Sequence, residues 1–172
     1  MKKILYTLLA VLVLASCEIS PVVNPNGPDL DNIVNSPSVT DLNNLVVGIE
    51  DGIRRQYAIY VTATGTIARE LYLFDADPRN TEDLLGKNGT QLDNNSFYTT
   101  ASFTARYRVI KNANLLLQAL DNAGDVLTDA EILGYRGFAN TMIAYQLLLV
   151  LNQQNSNGVR LDVADPSNLG PF

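Results

Sequence analysis

The sequence contains no histidine and only one cysteine among its 172 residues. The absence of histidine excludes Ser-His-Asp and Cys-His catalysis, and it also excludes zinc sites built from histidine and cysteine. Hydrolytic chemistry would have to rest on carboxylates, as in glycosidases. A glycine-rich phosphate-binding loop is also missing. The candidate carboxylates are Asp75 and Asp77, which leave a glycosidase as the least favoured alternative, since paired acids on a turn are usually solvated or hydrogen-bonded locally. We expect the protein to hold neither a cofactor nor a metal ion.

Basic residues are also scarce, with 12 Lys and Arg against 18 Asp and Glu and a formal net charge of −6. Nucleic-acid binding depends on Lys and Arg contacts to phosphates, so this balance argues against a nucleic-acid partner. It also argues against a polybasic membrane-surface role. Because one cysteine cannot form a disulfide within the chain, an extracytoplasmic domain would be stabilised by its core alone.

The N-terminus has the pattern of an export signal. Lys2 and Lys3 precede the apolar run 4–14, which is shorter than the roughly 20 residues that a membrane-spanning helix needs. We therefore predict a signal peptide at residues 1–16. The sequence Leu14-Ala-Ser-Cys17 resembles the lipobox of bacterial lipoproteins, which implies cleavage before Cys17 and lipidation of its thiol. The alternative is an ordinary signal peptide followed by an unrelated cysteine.

Residues 17–37 are rich in Pro, Asn and Asp and show no apolar period. This composition predicts a flexible tether between the lipid and a folded domain at residues 38–172. The first helix should begin at Ser38 or Thr40, because either residue can act as its N-cap. Its apolar stripe comprises Leu42, Leu45, Val46, Ile49, Ile53 and Tyr60.

Gly65 is predicted to weaken or break this first helix. A second helical piece should carry Ile67, Leu71 and Phe74. Residues 75–95 contain Pro78, Gly86 and many Asn and Asp residues, and they predict a loop.

Two long helices are predicted in the second half of the chain. The first runs from Thr99 to Asp121, before a stop at Gly124. Thr128 and Glu131 form a capping-box pattern for the second, which should run to about Asn152. Since this last helix is apolar on several sides, we expect it to be central in the bundle. The predicted fold is all-α, and the two long helices should pack as an antiparallel pair.

Two segments of these helices resemble the SusD/RagB family. They are Phe103-Thr-Ala-Arg-Tyr-Arg-Val-Ile-Lys-Asn-Ala-Asn-Leu115 and Ala130-Glu-Ile-Leu-Gly-Tyr-Arg-Gly-Phe-Ala-Asn-Thr-Met-Ile-Ala-Tyr145. The resemblance implies paired antiparallel helices of tetratricopeptide-repeat type. It also implies an outer-membrane lipoprotein that is not an enzyme. Such a protein faces the cell exterior, binds glycans or peptides and delivers them to a TonB-dependent SusC-like transporter. Family members are several times longer, so residues 38–172 would correspond to an incomplete, N-terminal portion.

The resemblance places ligand residues in loops between the early helices. The corresponding residues here are Asp75, Asp77, Arg79, Asn80, Phe97 and Tyr98. A different interpretation of Phe97 and Tyr98 is that they pack against the next helix as a hydrophobic staple. Asn114 and Arg136 are expected to be buried hydrogen-bond partners between helices. The alternative function is that of a helical envelope lipoprotein which serves as an interaction scaffold without a small ligand.

Overall fold

The computed structural model describes residues 29–72, 77–86, 91–165, 167–168 and 170. The fold of these residues is all-α, as predicted, and they contain no strand. The helices are α1 (Leu30–Asn35), α2 (Val39–Arg54), α3 (Tyr57–Ile67), α4 (Arg79–Leu85), α5 (Phe97–Asp121) and α6 (Asp129–Gln154). Short 3₁₀ turns follow α5 and α6, at Gly124–Val126 and Asn155–Asn157.

Helices α5 and α6 form the predicted antiparallel pair. Ser102, near the start of α5, donates a hydrogen bond of 2.8 Å to Gln153 near the end of α6. At the opposite end of the pair, Arg136 of α6 forms a surface ion pair with Asp121 of α5. Because the early residues of one helix contact the late residues of the other, the two helices run in opposite directions.

The central helix is α5, so the prediction that α6 is central is wrong. Helix α5 packs against every other helix, whereas α6 packs mainly against α5. The fully buried apolar residues of α5 are Val109, Ile110, Ala113, Leu116 and Ala119. On α6, Leu133 and Leu148 remain 69% and 53% exposed. The apolar residues around α6 therefore cover α5 on one side only, and the rest of them face outwards.

Helix α2 begins as predicted, after an N-cap at Ser38. The Ser38 hydroxyl accepts a hydrogen bond from the backbone N–H of Asp41, and the Asp41 carboxylate accepts one from the backbone N–H of Ser38. This reciprocal capping box satisfies backbone donors that the helix itself leaves unpaired. Gly52 then lets α2 approach α5 closely, because a Cβ at Gly52 would lie 2.7 Å from Cγ2 of Val109.

The break after the first helix lies at Arg55 and Gln56, which corrects the prediction of a break at Gly65. Arg55 is extended and Gln56 adopts a left-handed conformation with φ 55°. Gly65 lies inside α3, which includes Tyr60. Arg69 is also left-handed, with φ 61°, and the backbone N–H of Glu70 returns to the carbonyl of Gly65.

This left-handed closure ends α3 at Ile67. The predicted second helical piece is therefore wrong at Leu71, which lies beyond α3 and packs against Gly65. Phe74 lies outside the described residues.

Helix α1 lies within the segment that we predicted as a flexible tether, so that prediction is wrong for residues 30–35. Asp29 caps α1 by accepting a hydrogen bond from the backbone N–H of Asp31. The carbonyl of Val34 accepts a hydrogen bond of 3.0 Å from Asn122, just after α5. The short helix is thus held by a local cap and by contact with α5. Residues 17–28 of the predicted tether lie outside the described residues.

Helix α4 interrupts the segment 75–95, which we predicted to be a loop throughout. It begins after Pro78, whose fixed φ suits a helix start, and it ends at Gly86 in the left-handed conformation. Leu84 is buried against Ala63 and Tyr98. The proline and glycine that suggested a loop are the start and stop signals of this short helix.

The capping box at the start of α6 is confirmed. The Glu131 carboxylate accepts from the backbone N–H of Thr128 at 2.8 Å, and the Thr128 hydroxyl accepts from the backbone N–H of Glu131 at 3.4 Å. The helix continues to Gln154, two residues beyond the predicted end. Within the described residues, none of the helices combines the length and the hydrophobicity that crossing a membrane requires.

Thermal stability should fall at acidic pH because hydrogen bonds lower the pKa of two capping carboxylates. The Ser38 hydroxyl and N–H hold the pKa of Asp41 below its ordinary 3.8, and the N–H and hydroxyl of Thr128 hold the pKa of Glu131 below its ordinary 4.5. A pKa lowered in the folded state stabilises the fold above the unfolded-state pKa, and this stabilisation is lost as the pH falls through the folded-state pKa.

With no histidine to titrate, the Tm measured by circular dichroism should stay constant between about pH 8 and pH 5 and fall below about pH 4.5. The double variant Asp41→Asn, Glu131→Gln is the control. It should be less stable at neutral pH and should show a weaker acid dependence. A wild-type Tm that rises on acidification below about pH 4.5 would contradict the prediction.

Candidate functional site

Asp77 and Arg79 form a tight ion pair at the start of α4. Arg79 Nη2 lies 2.6 Å from Asp77 Oδ2, and Arg79 Nε lies 2.9 Å from Asp77 Oδ1. Asp77 Oδ1 also accepts a hydrogen bond from the backbone N–H of Arg79 at 3.0 Å. The Arg79 guanidinium holds the pKa of the Asp77 carboxyl below its usual range, and the Asp77 carboxylate raises the pKa of Arg79. Asp77 is therefore an ionised hydrogen-bond acceptor in a fixed geometry.

The same guanidinium lies over the ring of Phe97, the first residue of α5. The distance from Arg79 Cζ to the centre of the ring is 5.2 Å, which is within the range of a cation–π contact. Phe97 is 42% exposed. One surface cluster is thus formed by Asp77, Arg79 and Phe97. Asp77 and Arg79 come from the start of α4, whereas Phe97 comes from the start of α5.

Asn80 and Tyr98 were predicted as ligand residues, but their side chains are buried. Tyr98 is 5% exposed and packs with Ala63 and Leu84, and Asn80 is also in the interior. The packing interpretation therefore holds for Tyr98 and fails for the exposed Phe97. Asp75 and Cys17 lie outside the described residues.

A groove that was not predicted from the sequence lies along α5 and begins at Thr100, one helical turn after Phe97. Thr100, Ala101, Thr104, Ala105 and Arg108 line one wall, and Gly52, Arg55 and Gln56 line the other. The cavity has a volume of about 430 Å³, within the range of small-molecule sites. Phe97, Thr104 and Arg108 are spaced by seven and four residues, so they lie on one face of α5. This spacing is the sequence pattern from which the α5 wall of the groove could have been predicted.

Arg106 is fully buried behind this groove and holds the α2–α3 junction. Its Nη1 donates to the carbonyl of Ile53 at 3.1 Å and to Gln146 Oε1 at 2.9 Å, while its Nη2 donates to the carbonyl of Arg55. Burial lowers the pKa of Arg106. The guanidinium therefore caps the C-terminal carbonyls of α2, where the helix dipole is negative.

Three tyrosines, Tyr57, Tyr60 and Tyr145, interact electrostatically with this buried cation. Tyr57 and Tyr60 stack with their ring centres 6.0 Å apart. Burial and a hydrogen bond with Tyr57 raise the pKa of Tyr145. Their electrostatic effect raises the pKa of Arg106 and so partly opposes the effect of its burial.

Arg136 and Asn114 differ from their expected roles as buried partners. Arg136 does connect α5 with α6, but through a partly exposed ion pair with Asp121. Asn114 is half-buried, and its side chain forms no hydrogen bond in the part of the chain that the structure describes. Arg106 and Gln146 provide the buried polar contact between these helices instead.

A separate cavity of about 510 Å³ lies beyond the end of α3. Its lining includes Thr66, Arg69, Glu70, Leu71, Tyr72 and Leu85. Among the described residues, none of the predicted ligand residues lines either this cavity or the α5 groove. The α5 groove begins one helical turn after Phe97 on the same face of α5, so we take the predicted cluster and this groove together as the candidate functional site.

Comparison with known families identifies the N-terminus. Residues 1–17 match the model of the prokaryotic membrane lipoprotein lipid attachment site. The chain therefore carries a lipid anchor that attaches it to a membrane, which confirms the prediction of a membrane-anchored lipoprotein. No curated protein and no solved structure matches the chain.

Proposed function

We propose that this lipoprotein is anchored in the outer membrane, faces the cell exterior, and delivers glycans or peptides to a TonB-dependent SusC-like transporter. A lipid attachment site at residues 1–17 precedes an all-α domain. The two segments that resemble the SusD/RagB family, 103–115 and 130–145, lie on the paired helices α5 and α6. An anchored helical domain beside a pore suits ligand capture, since the lipid keeps it at the membrane surface.

The observation that carries a glycan ligand is the surface cluster of Asp77, Arg79 and Phe97. It combines an exposed aromatic ring with a carboxylate and a guanidinium that are already fixed in position. A sugar presents an apolar ring face and several hydroxyl groups, and both kinds of group find partners here. Preformed polar groups beside apolar surface are typical of small-molecule sites.

The proposed role is binding without catalysis. The Asp77 carboxylate is held by Arg79, and its lowered pKa keeps it ionised near neutral pH. A general acid must instead carry a proton at working pH. Within the described residues, no group of three or more acidic or cysteine side chains could hold a metal ion. The cluster therefore suits recognition of a ligand.

Phe97→Ala should weaken glycan binding by about tenfold, the usual effect of removing a central aromatic contact. Phe103→Ala is a matched control, because Phe103 lies on the same helix and is exposed to a similar extent, 38% against 42%. The test is a panel of glycans and peptides titrated against the full-length lipidated protein in detergent. Equal effects of the two substitutions would contradict a ligand site at Phe97.

The transporter partner is tested by mild detergent extraction of the native membrane. We expect a TonB-dependent transporter to co-purify with the full-length lipoprotein. A protein that binds nothing in the panel and recovers no transporter would contradict the uptake role. Co-purification with envelope-assembly proteins instead would favour the alternative of a helical interaction scaffold.

A further inference from the structure

We infer that the groove between the α2–α3 junction and α5 binds a carboxylate-bearing sugar, so that the captured glycan is acidic. That the ligand is a glycan rests on the proposed function, whereas its acidity is inferred from the residues of the groove. The groove begins one helical turn after Phe97 and ends at Arg108. The separation of eleven residues between Phe97 and Arg108 corresponds to about 16 Å along the helix axis. An extended ligand could contact the ring and the groove together.

The groove is cationic in a chain of net negative charge. Arg55 and Arg108 line it from opposite walls, and its described lining includes neither Asp nor Glu. Arg108 is exposed, and its guanidinium has no hydrogen bond or ion pair in the part of the chain described by the structure. A planar guanidinium binds a carboxylate through two parallel hydrogen bonds, so Arg108 is the strongest candidate contact.

The buried cation Arg106 adds positive charge behind the same wall. It donates to the carbonyl of Arg55, a groove residue, and no described carboxylate forms an ion pair with it. A charge inside the protein is screened much less than one in solvent. Arg106 and Arg108 therefore act on the groove without a described carboxylate partner, whereas Arg55 is paired with Asp51. The field of the two unpaired arginines favours an anion.

Polar groups near Arg108 can serve the rest of a sugar. The exposed Thr104 hydroxyl lies one turn before Arg108 on the same face of α5, and it forms no hydrogen bond within the described residues. Gln56, in its left-handed conformation, supplies an amide on the opposite wall. A hydroxyl and an amide can donate and accept, which matches the hydroxyl groups of a pyranose.

Asp51 is the acid that opposes binding. It forms an exposed ion pair with Arg55 at 2.6 Å. A ligand carboxylate must compete with Asp51 for the Arg55 guanidinium. Removal of the Asp51 charge should therefore strengthen binding of an acidic ligand.

The test uses two matched probes, an oligogalacturonide and the same oligosaccharide after chemical reduction of its carboxylates to alcohols. Each is titrated by calorimetry into the full-length lipidated protein in detergent. We expect the acidic probe to bind about tenfold or more tightly than the reduced one. This preference should weaken as ionic strength rises from about 0.01 M to about 0.15 M.

Arg108→Gln should abolish the preference for the acidic probe, and Asp51→Asn should increase it. Arg136→Gln is the matched control, because it removes the same charge at the far end of the α5–α6 pair and should retain the preference. Circular dichroism checks that each variant is folded. Equal binding of the two probes, or an unchanged preference in Arg108→Gln, would overturn the inference.

The two proposals fail in different ways. If the reduced probe binds as well as the acidic probe and Phe97→Ala weakens both, the glycan-binding role stands and the acidic specificity is wrong. If neither probe binds, the inference is also overturned, and the wider panel then decides the proposed function.

Discussion

Cys17→Ser should abolish the labelling of the protein by fatty acids and should transfer the form that has lost its signal peptide from the membrane fraction to the soluble fraction. A serine hydroxyl cannot replace the thiol that carries the lipid at the attachment site, which ends at Cys17. Each buried methylene of an acyl chain contributes about 0.8 kcal/mol to membrane binding, so several chains on one residue give stable attachment. Removing all of them should therefore have a near-complete effect.

Metabolic labelling with palmitate and fractionation of the cells measure this effect. Cys17 is the single cysteine of the chain, so no other thiol can take up the label. Ser16→Ala is the control, because it keeps a small residue before the cleavage site and should leave both lipidation and membrane attachment intact. Label on the Cys17→Ser protein, or full membrane retention of its signal-peptide-free form, would contradict anchoring through this residue.

The parts of the fold that the sequence predicted well are those fixed by neighbouring residues. Ser38 caps α2, and Thr128 with Glu131 caps α6, through contacts only three residues apart. Such pairs can be recognised in a sequence because the capping geometry is local.

The break between α2 and α3 was not predictable in the same way. Gly65 is a weaker helix former than Arg55 or Gln56. Nevertheless α3 continues through Gly65, and the chain turns at Arg55 and Gln56. Arg106, about fifty residues away in sequence, supplies the donors that satisfy the exposed carbonyls at the turn. A tertiary contact thus overrides local helix propensity.

The candidate site was only partly predicted, because it also depends on contacts between residues that are distant in the sequence. Phe97 and Tyr98 are adjacent aromatic residues, and composition alone does not say which of them faces solvent. Tyr98 packs with Leu84 because α4 covers it, and α4 was predicted as a loop. The groove was missed because Arg55 and Arg108 come from different helical segments, so that only the folded chain brings them together.

Arg106→Ala should lower the free energy of unfolding by about 3 kcal/mol. The substitution leaves the carbonyls of Ile53 and Arg55 and the amide oxygen of Gln146 without their donor. An unsatisfied buried acceptor costs about 1–3 kcal/mol. The alanine variant no longer buries a charged guanidinium, and because burying a charge is itself unfavourable, this offsets part of the loss.

Urea unfolding followed by circular dichroism measures the change in free energy. Arg108→Ala is the matched control, because it removes the same side chain two residues further along α5 at an exposed position. Its effect should stay within about 0.5 kcal/mol. An equal loss in the two variants would show that Arg106 does not hold the junction.

Arg106→Lys separates the capping geometry from the charge. Lysine keeps the positive charge, but its compact ammonium group cannot reproduce the planar guanidinium, whose N–H groups reach both the end of α2 and Gln146 of α6. We therefore expect an intermediate loss of stability. Full rescue by lysine would mean that positive charge at the end of the α2 dipole is sufficient. A loss as large as that of Arg106→Ala would mean that the separate hydrogen bonds to Ile53, Arg55 and Gln146 hold the turn.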